Sequence, residues 1–235
     1  MPKKVVGFIP NLLTLCNLLS GCVAVYMAFH LNDTIGPMIG LHWTWLAIAA
    51  AAVFDFSDGA SARGLHAYSE IGKELDSLSD LVSFGVAPGM MMLNLMLGHS
   101  LHAWLCFAAL LIPVFGAYRL AKFNVDEEQT TSFKGLPIPA NAIFWIGAAA
   151  WIERYLYPGT GVMAVLIVAI SWLMTSNVPM FSLKFKNFGW AENFRRYVLL
   201  AAAAVFVICW GVSGLMWTIV LYIFMSAALR KYQQA

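Results

Sequence analysis

Charged residues are scarce in this chain, at 11% of the sequence, whereas hydrophobic residues make up 61%. Soluble domains carry about 25% charged residues and no more than about half apolar ones, so the composition excludes an ordinary water-soluble fold. The net charge of +2 is too small to indicate a nucleic-acid partner. The length of 235 residues suits one domain.

Cysteine is also sparse and is not arranged for disulfides or metal binding. The four cysteines, Cys16, Cys22, Cys106 and Cys209, all lie within apolar runs, and no two of them form a CxxC pair. Isolated cysteines in such runs behave as small hydrophobic residues. We therefore expect neither a disulfide framework nor a cysteine-ligated metal.

The sequence lacks strand-like alternation and internal repeats, and long apolar runs take their place. Backbone polar groups in hydrocarbon must bond one another, which favours helices, and a spanning helix needs about 20 mainly apolar residues. We predict an all-α, polytopic membrane helix bundle that forms a single domain over residues 1–235. Its eight predicted membrane helices lie approximately at residues 10–30, 42–62, 76–97, 101–121, 137–156, 160–180, 196–212 and 214–231.

The first apolar segment follows two lysines, as a signal peptide does. Seven more apolar segments come after it, and polar residues such as Asn11 interrupt it. We therefore predict an uncleaved membrane helix.

Lysine and arginine are distributed unequally between the two sides of this predicted bundle. Eight crossings place both termini and thirteen of the 14 basic residues on one side, and only Arg154 on the other. Cytoplasmic loops carry an excess of Lys and Arg. The sequence therefore predicts that both termini are cytoplasmic.

Four aspartates lie where a membrane protein usually avoids charge. Asp55 and Asp58 (i, i+3) share one face at the end of the second predicted helix, and Asp76 and Asp80 (i, i+4) share one face at the start of the third. A loop of about a dozen residues joins the two helices as a hairpin. We expect the four carboxylates to converge at the cytoplasmic surface of the membrane.

Converging carboxylates repel one another unless a cation lies between them. Hard oxygen ligands favour Mg²⁺ or Mn²⁺ over zinc, and one such ion, or two, can stabilise phosphoryl displacement. Two alternatives are open. The acids could cap helices or pair with Arg63 and Lys73, or they could form the ion site of a transporter, although such sites usually lie near the bilayer midplane.

Small residues accompany the acids in one long spaced motif. The motif reads Asp55-x2-Asp58-Gly59-x2-Ala62-Arg63-x8-Gly72-x3-Asp76-x3-Asp80. At every fixed position it resembles the signature of the CDP-alcohol phosphotransferases. The resemblance implies that Asp55, Asp58 and Asp76 bind metal, two ions in all, and hold the CDP diphosphate. It implies that Asp80 is the general base and a metal ligand as well. The implied nucleotide site also includes Gly59, Ala62, Arg63 and Gly72.

Outside the motif, the chain resembles the membrane-integral phosphatidylserine synthases of that family. The resemblance lies in residues 9–17, 75–88, 118–125 and 133–140. It implies that the substrates are CDP-diacylglycerol and L-serine, in a multi-pass homodimer of the inner membrane whose active site faces the cytoplasm. The implied catalytic core covers about residues 8–180, followed by a C-terminal helical hairpin at about residues 196–231.

Basic residues near the fourth predicted helix suit an amino-acid acceptor, whose carboxylate needs a cation. Arg119 and Lys122 lie at i and i+3 on that helix, and Phe123, Asn124 and Lys134 follow. By the resemblance, these five residues are predicted to bind serine. The basic ones could equally be positive-inside anchors.

Two further assignments rest on the resemblance. Thr14 and Asn17, on one face of the first predicted helix, are expected to bond the cytidine or ribose, with a hydrogen bond to another helix as the alternative. Serine is the expected acceptor, with glycerol 3-phosphate, inositol phosphate or choline as alternatives used by sister enzymes.

Overall fold

A computed structural model of the protein describes residues 8–100, 103–125, 133–181 and 189–228. Within these residues almost the whole chain is helical. The α-helices are α1 (Phe8–Ala28), α2 (Gly40–Gly64), α3 (Glu70–Asp80), α4 (Ala87–His99), α5 (Ala103–Cys106), α6 (Leu111–Val125), α7 (Ile138–Arg154), α8 (Thr160–Thr175), α9 (Trp190–Trp210) and α10 (Gly214–Ala228). Four two-residue strands form two antiparallel ladders, β1 (Thr34–Ile35) with β2 (Met38–Ile39) and β3 (Phe133–Lys134) with β4 (Pro179–Met180).

Several of these helices are continuous with the next. A π-helix (Leu81–Val86) joins α3 to α4, and a 3₁₀ turn (Phe107–Leu110) joins α5 to α6. Four helices of the described chain are long and apolar enough to cross a membrane: Phe8–Ala28, Glu70–His99, Ala103–Val125 and Asn193–Ala228. The chain is therefore a membrane-type helical protein, and the eight crossings stay a prediction. So does the orientation, since six of the basic residues behind it lie outside the described residues: Lys3, Lys4, Lys184, Lys186, Arg230 and Lys231.

The last of the four long helices folds back on itself. Gly211 has a φ of +61°, a conformation that favours glycine, and it opens a short 3₁₀ turn before α10. A Cβ on Gly214 would lie 2.3 Å from the carbonyl oxygen of Phe206, eight positions earlier. Such an approach is impossible along one straight helix, so α9 and α10 form a hairpin, as the sequence predicts for this part of the chain.

Helix α7 lies at the centre of the bundle. Its sequence is apolar on every side, which is typical of a fully buried helix, and Ala142, Trp145 and Ala149 are completely buried. A Cβ on Gly147 would lie 2.2 Å from the backbone nitrogen of Met216, so the backbones of α7 and α10 are in direct contact. The C-terminal hairpin is thus packed onto the core.

Helices α1 and α2 pack against each other through small residues. Ala24 and Ala28 on α1 and Ala51 on α2 are completely buried, and the β1–β2 ladder joins the two helices. Small side chains let two helix backbones approach closely when no aqueous phase drives them together. This pairing places the polar residues of α1 beside the aspartates of α2.

The connection between α2 and α3 is shorter than the predicted loop of a dozen residues. It comprises residues 65–69 only, because α2 continues through Arg63 to Gly64 and α3 begins at Glu70. Ser69 caps α3 by accepting a hydrogen bond from the backbone nitrogen of Gly72 at 3.0 Å. Gly72 therefore lies in the first turn of α3, and the hairpin is tighter than expected.

Candidate active site

Three of the four predicted aspartates form one compact cluster. Carboxylate oxygens of Asp55 on α2 and of Asp76 and Asp80 on α3 all lie within 4.8 Å of one another. Asp80 is buried, and the other two are half-buried. The i, i+4 spacing along α3 places Asp76 and Asp80 on the side that faces α2, as the sequence predicts.

Asp58 lies beside this cluster but is directed toward the first helix. Its Oδ2 accepts a hydrogen bond of 2.6 Å from Thr14 Oγ1, and both side chains are buried. The four predicted aspartates therefore form a group of three carboxylates, with the Asp58 carboxylate as a neighbour. Thr14 therefore makes a hydrogen bond to another helix, which is the alternative role expected from the sequence.

Asn17 connects α1 to the other end of the cluster. It is completely buried, and its Nδ2 donates to Asp80 Oδ1 at 3.1 Å. Its backbone carbonyl accepts a hydrogen bond of 3.0 Å from Ser83 Oγ in the π-helix. Asn17 thus holds Asp80 through its side chain and the next helical turn through its backbone, and a contact with the nucleotide stays a prediction.

The π-helix directly after Asp80 is supported from its far side by α7. Asn141 is completely buried; its Nδ2 lies 3.4 Å from the Phe84 carbonyl, and its Oδ1 accepts a hydrogen bond of 2.8 Å from Trp145 Nε1. A π-helix leaves backbone carbonyls out of the ordinary α-helical pattern, and such segments frequently occur at functional sites. Asn141 therefore donates a hydrogen bond to one of these carbonyls from the neighbouring helix.

A pocket opens on one side of the cluster, between α1, α2 and the start of α3. Its empty volume is about 610 Å³, and we call it the α1–α3 pocket. Six residues predicted to bind CDP line it: Thr14, Asp58, Gly59, Ala62, Gly72 and Asp76. Of the other three, Asn17 is buried beside Asp80, Asp55 belongs to the cluster, and Arg63 is exposed at the rim beside Gly59.

The small residues of the motif keep this pocket open. A Cβ on Gly72 would lie 2.9 Å from Ser69 Oγ and 3.0 Å from Asn11 Oδ1, so a larger residue would displace polar groups of the wall. A Cβ on Gly59 would meet only the Arg63 guanidinium, at 3.4 Å. Gly72 therefore controls the shape of the wall, whereas Gly59 leaves free space.

A second, smaller pocket lies at the end of α6. Its empty volume is about 240 Å³, and we call it the α6 pocket. Arg119, Lys122, Phe123 and Lys134 line it, together with Met174, Thr175 and Ser176 from the end of α8. Arg119 is buried and lies near enough to Asp80 to interact with it electrostatically. Three of the residues predicted to bind serine thus place positive charge in this pocket, and one of them, Arg119, lies near the aspartate cluster.

The fifth residue of that predicted group points elsewhere. Asn124 does not line the α6 pocket: its Nδ2 donates to Ser77 Oγ at 2.9 Å, and its carbonyl accepts from Lys73 Nζ at 3.1 Å. These bonds tie the end of α6 to α3. Lys122 Nζ donates to Asn177 Oδ1 at 3.3 Å, which anchors it at the pocket edge.

Sequence reasoning missed residues that line the α1–α3 pocket. Pro10 and Asn11 come from the first turn of α1, and the loop before α3 and the first turn of α3 supply Ala67, Tyr68, Ser69 and Lys73. These last four stand at variable positions of the spaced motif. The serine at a helix N-cap position was the one available signal, and it concerns helix initiation and not ligand binding.

The aspartate cluster has the properties of a divalent-cation site. Its donors are carboxylate oxygens, which Mg²⁺ and Mn²⁺ prefer. Asp76 Oδ1 is buried and has no hydrogen-bond partner among the described residues. A buried acceptor without a donor is costly, and a cation would remove both that cost and the repulsion among three carboxylates. The residues therefore fit a metal.

Comparison with known proteins agrees with this chemistry. The family model for CDP-alcohol phosphatidyltransferase matches residues 7–178. The chain is 33% identical over 172 residues to a CDP-diacylglycerol–serine O-phosphatidyltransferase of Bacillus subtilis (strain 168), which covers 73% of this chain and 89% of that protein. Enzymes of the same name from Helicobacter pylori (strain J99) and Methanocaldococcus jannaschii are 30% and 35% identical over 212 and 149 residues. These alignments cover 88% and 63% of this chain, and 85% and 68% of the respective relatives.

The family match spans the aspartate cluster and both pockets up to residue 178, and the fold places the residues of the spaced motif around one site. The chain therefore belongs to the CDP-alcohol phosphatidyltransferase family.

Proposed function

We propose that this protein transfers the phosphatidyl group of CDP-diacylglycerol to the hydroxyl of L-serine, giving phosphatidylserine and CMP. The observation that carries the proposal is that the aspartate cluster adjoins both pockets. Asp76 lines the α1–α3 pocket, which is lined by the family motif, and Asp80 interacts electrostatically with Arg119 of the α6 pocket, which is lined by cations. The relatives named for this reaction support serine as the acceptor.

The α1–α3 pocket is the proposed site of the CDP group. Asp58 is held toward it by Thr14, and Gly72 keeps its wall open. Asp55, Asp76 and Asp80, with Asp58 alongside, would hold two divalent cations, Mg²⁺ or Mn²⁺. These ions would supply positive charge for the diphosphate. Arg63 at the rim adds a cation suited to a phosphate.

The α6 pocket is the proposed site of serine. Arg119 and Lys134 face the serine carboxylate, with Lys122 and Phe123 at the edge. The Arg119 Nε is buried without a partner among the described residues, and a carboxylate would supply one. Three cationic side chains in the pocket disfavour choline, which is itself a cation. Glycerol 3-phosphate and inositol phosphate, which are anions, are therefore the closer alternatives to serine.

Asp80 is the proposed general base. It accepts the hydroxyl proton of serine while the serine oxygen attacks the phosphorus that carries the diacylglycerol. The new oxygen–phosphorus bond forms as the bond from that phosphorus to the bridging oxygen breaks, and CMP leaves with that oxygen. Asn17 keeps the Asp80 carboxylate oriented during this transfer.

The proposal also includes the location, the domain organisation and the oligomeric state of the protein. The excess of Lys and Arg on one side of the predicted topology supports an inner-membrane protein whose active site faces the cytoplasm. Residues 1–235 are taken as one domain, since α10 packs directly on α7. The family resemblance supports a homodimer.

An acceptor panel tests the proposal. The purified protein is given CDP-diacylglycerol, Mn²⁺ and, in separate reactions, labelled serine, glycerol 3-phosphate, inositol phosphate or choline. We expect CMP and labelled lipid with serine alone. Product with another alcohol and none with serine would overturn the serine assignment. Cation flux into vesicles without CMP release would favour a transporter.

A variant tests the α6 pocket. Arg119→Ala is expected to raise the KM for serine by roughly 10- to 150-fold, because a hydrogen bond to a charged group contributes about 1.5–3 kcal/mol. The KM for CDP-diacylglycerol should change little. Arg154→Ala, at the far end of α7, is the matched control. An unchanged serine KM in Arg119→Ala would return Arg119 to the role of a topological anchor.

A further inference from the structure

A residue of the C-terminal hairpin bonds the residue that follows β4, although the hairpin lies outside the residues matched by the family model. Tyr222 on α10 is 1% exposed, and its hydroxyl donates to the Phe181 carbonyl at 3.0 Å. The rings of Tyr222 and Phe181 also meet edge to face, with centroids 5.0 Å apart. One tyrosine therefore holds both the backbone and the side chain of Phe181.

Phe181 directly follows the strand that holds Lys134 in place. β3 and β4 pair so that Lys134 lies opposite Pro179, and Gly135 N–H donates to the Val178 carbonyl at 2.8 Å. The ladder has two residues on each side, so it offers little stability of its own. The contact with Tyr222 fixes the C-terminal end of β4 to α10.

The other side of the Lys134 segment is already fixed to α8. Leu136 N–H donates to the Leu173 carbonyl at 3.1 Å. Gly135 has a φ of +78°, and a Cβ there would lie 2.3 Å from the Met174 carbonyl. The backbone next to Lys134 is thus held between α8 and β4, and Tyr222 is the described side chain that secures β4 from the C-terminal hairpin.

Tyr222 also approaches the second cation of the pocket. It interacts electrostatically with Arg119 as well as bonding Phe181. We infer that Tyr222 is a positioning residue for acceptor binding: it fixes β4, the strand that pairs with β3 and so keeps Lys134 in place beside Arg119, and both cations then face one carboxylate. This inference rests on the proposed function only in taking the α6 pocket as the acceptor site.

The test compares two tyrosine-to-phenylalanine changes. Tyr222→Phe removes one hydroxyl and keeps the ring packing. Tyr157→Phe removes a hydroxyl that bonds Thr160 Oγ1 at 3.0 Å beyond the far end of α7, which makes it a matched control. We expect Tyr222→Phe to raise the acceptor KM by about three- to tenfold, the effect of one neutral hydrogen bond. The CDP-diacylglycerol KM and kcat should change less than about twofold, and Tyr157→Phe should change none of the three.

A double-mutant cycle with Lys134→Met shows whether Tyr222 acts through the strand. If it does, Tyr222→Phe has a smaller effect on acceptor KM once Lys134 is replaced. Purely additive effects, or an unchanged acceptor KM in Tyr222→Phe, would overturn the inference. If the wild type uses another alcohol in place of serine, the proposed function fails, but the same comparison is made with that alcohol.

Amide hydrogen exchange gives a readout that does not depend on activity. Exchange at Gly135, whose N–H bonds the Val178 carbonyl next to β4, should be faster in Tyr222→Phe than in wild type and unchanged in Tyr157→Phe. Equal exchange in all three proteins would overturn the inference. If Tyr222→Phe does not fold, Phe181→Leu takes its place. This variant keeps the carbonyl acceptor and removes the ring contact. It is expected to raise the acceptor KM and to speed amide exchange, both more weakly than Tyr222→Phe.

Discussion

Replacing Asn17 with alanine is expected to slow turnover much more than it weakens substrate binding. Asn17 is completely buried, and its one described side-chain hydrogen bond goes to Asp80 Oδ1 at 3.1 Å. A hydrogen bond to a charged group contributes about 1.5–3 kcal/mol. Since about 1.36 kcal/mol changes a rate tenfold, kcat should fall roughly 10- to 150-fold. The backbone carbonyl that Ser83 bonds is unchanged, so the helix contact persists.

The assay is CMP release at saturating CDP-diacylglycerol and serine, with thermal unfolding measured in parallel. Ser20→Ala is the matched control. It removes a hydroxyl on the same helix whose one partner within the described part of the chain is the Cys16 carbonyl, at 2.9 Å. Its kcat should equal that of the wild type. A kcat of Asn17→Ala within about twofold of wild type would contradict this role of Asn17, since one charged hydrogen bond accounts for more than that. A rise in KM alone would refute it as well.

Three further predictions concern other parts of the site. Asp80→Asn should abolish CMP release but leave CDP-lipid binding largely intact; a loss of binding equal to that of Asp55→Asn would make Asp80 a metal ligand only. Mn²⁺ should stabilise the wild type against thermal unfolding, by about 2.7 kcal/mol at 100 times its Kd, but not Asp76→Asn; a full shift in the variant would contradict the metal site. Gly72→Ala should raise the KM for CDP-diacylglycerol severalfold, since its Cβ would displace the pocket wall. Gly64→Ala, which meets open space, should not, and equal KM values in the two variants would show that the wall tolerates the change.

The convergence of the acids is predictable because helical spacing is strict. The i, i+3 and i, i+4 intervals determine which side chains share a helix face, and the close hairpin of α2 and α3 brings the two faces together. Spacing does not determine which partner a carboxylate selects. Asp58 bonds Thr14 on α1, and no interval within α2 contains that information.

The remaining features depend on contacts that are distant in sequence. The π-helix adds a residue to a helical turn, and the apolar residues 81–86 show no change of pattern that would reveal it. Asn124 resembles a ligand residue in the sequence, but Ser77 on α3 is its partner. Tyr222 lies in a segment of generic hydrophobic composition, and its role depends on Phe181, forty-one positions earlier.

The π-helix gives one turn of the chain about one residue more than an α-helix holds, and it absorbs that residue locally. Removal of one residue from the segment 81–86 would therefore restore regular α-helix and leave the helices on either side nearly in register. Met91, Met92 and Met96, now completely buried, would keep facing the interior while Asp80 stayed in place. A gap of one residue at this point in an alignment would thus identify a relative in which α3 and α4 form one regular helix and the Phe84 carbonyl no longer needs Asn141.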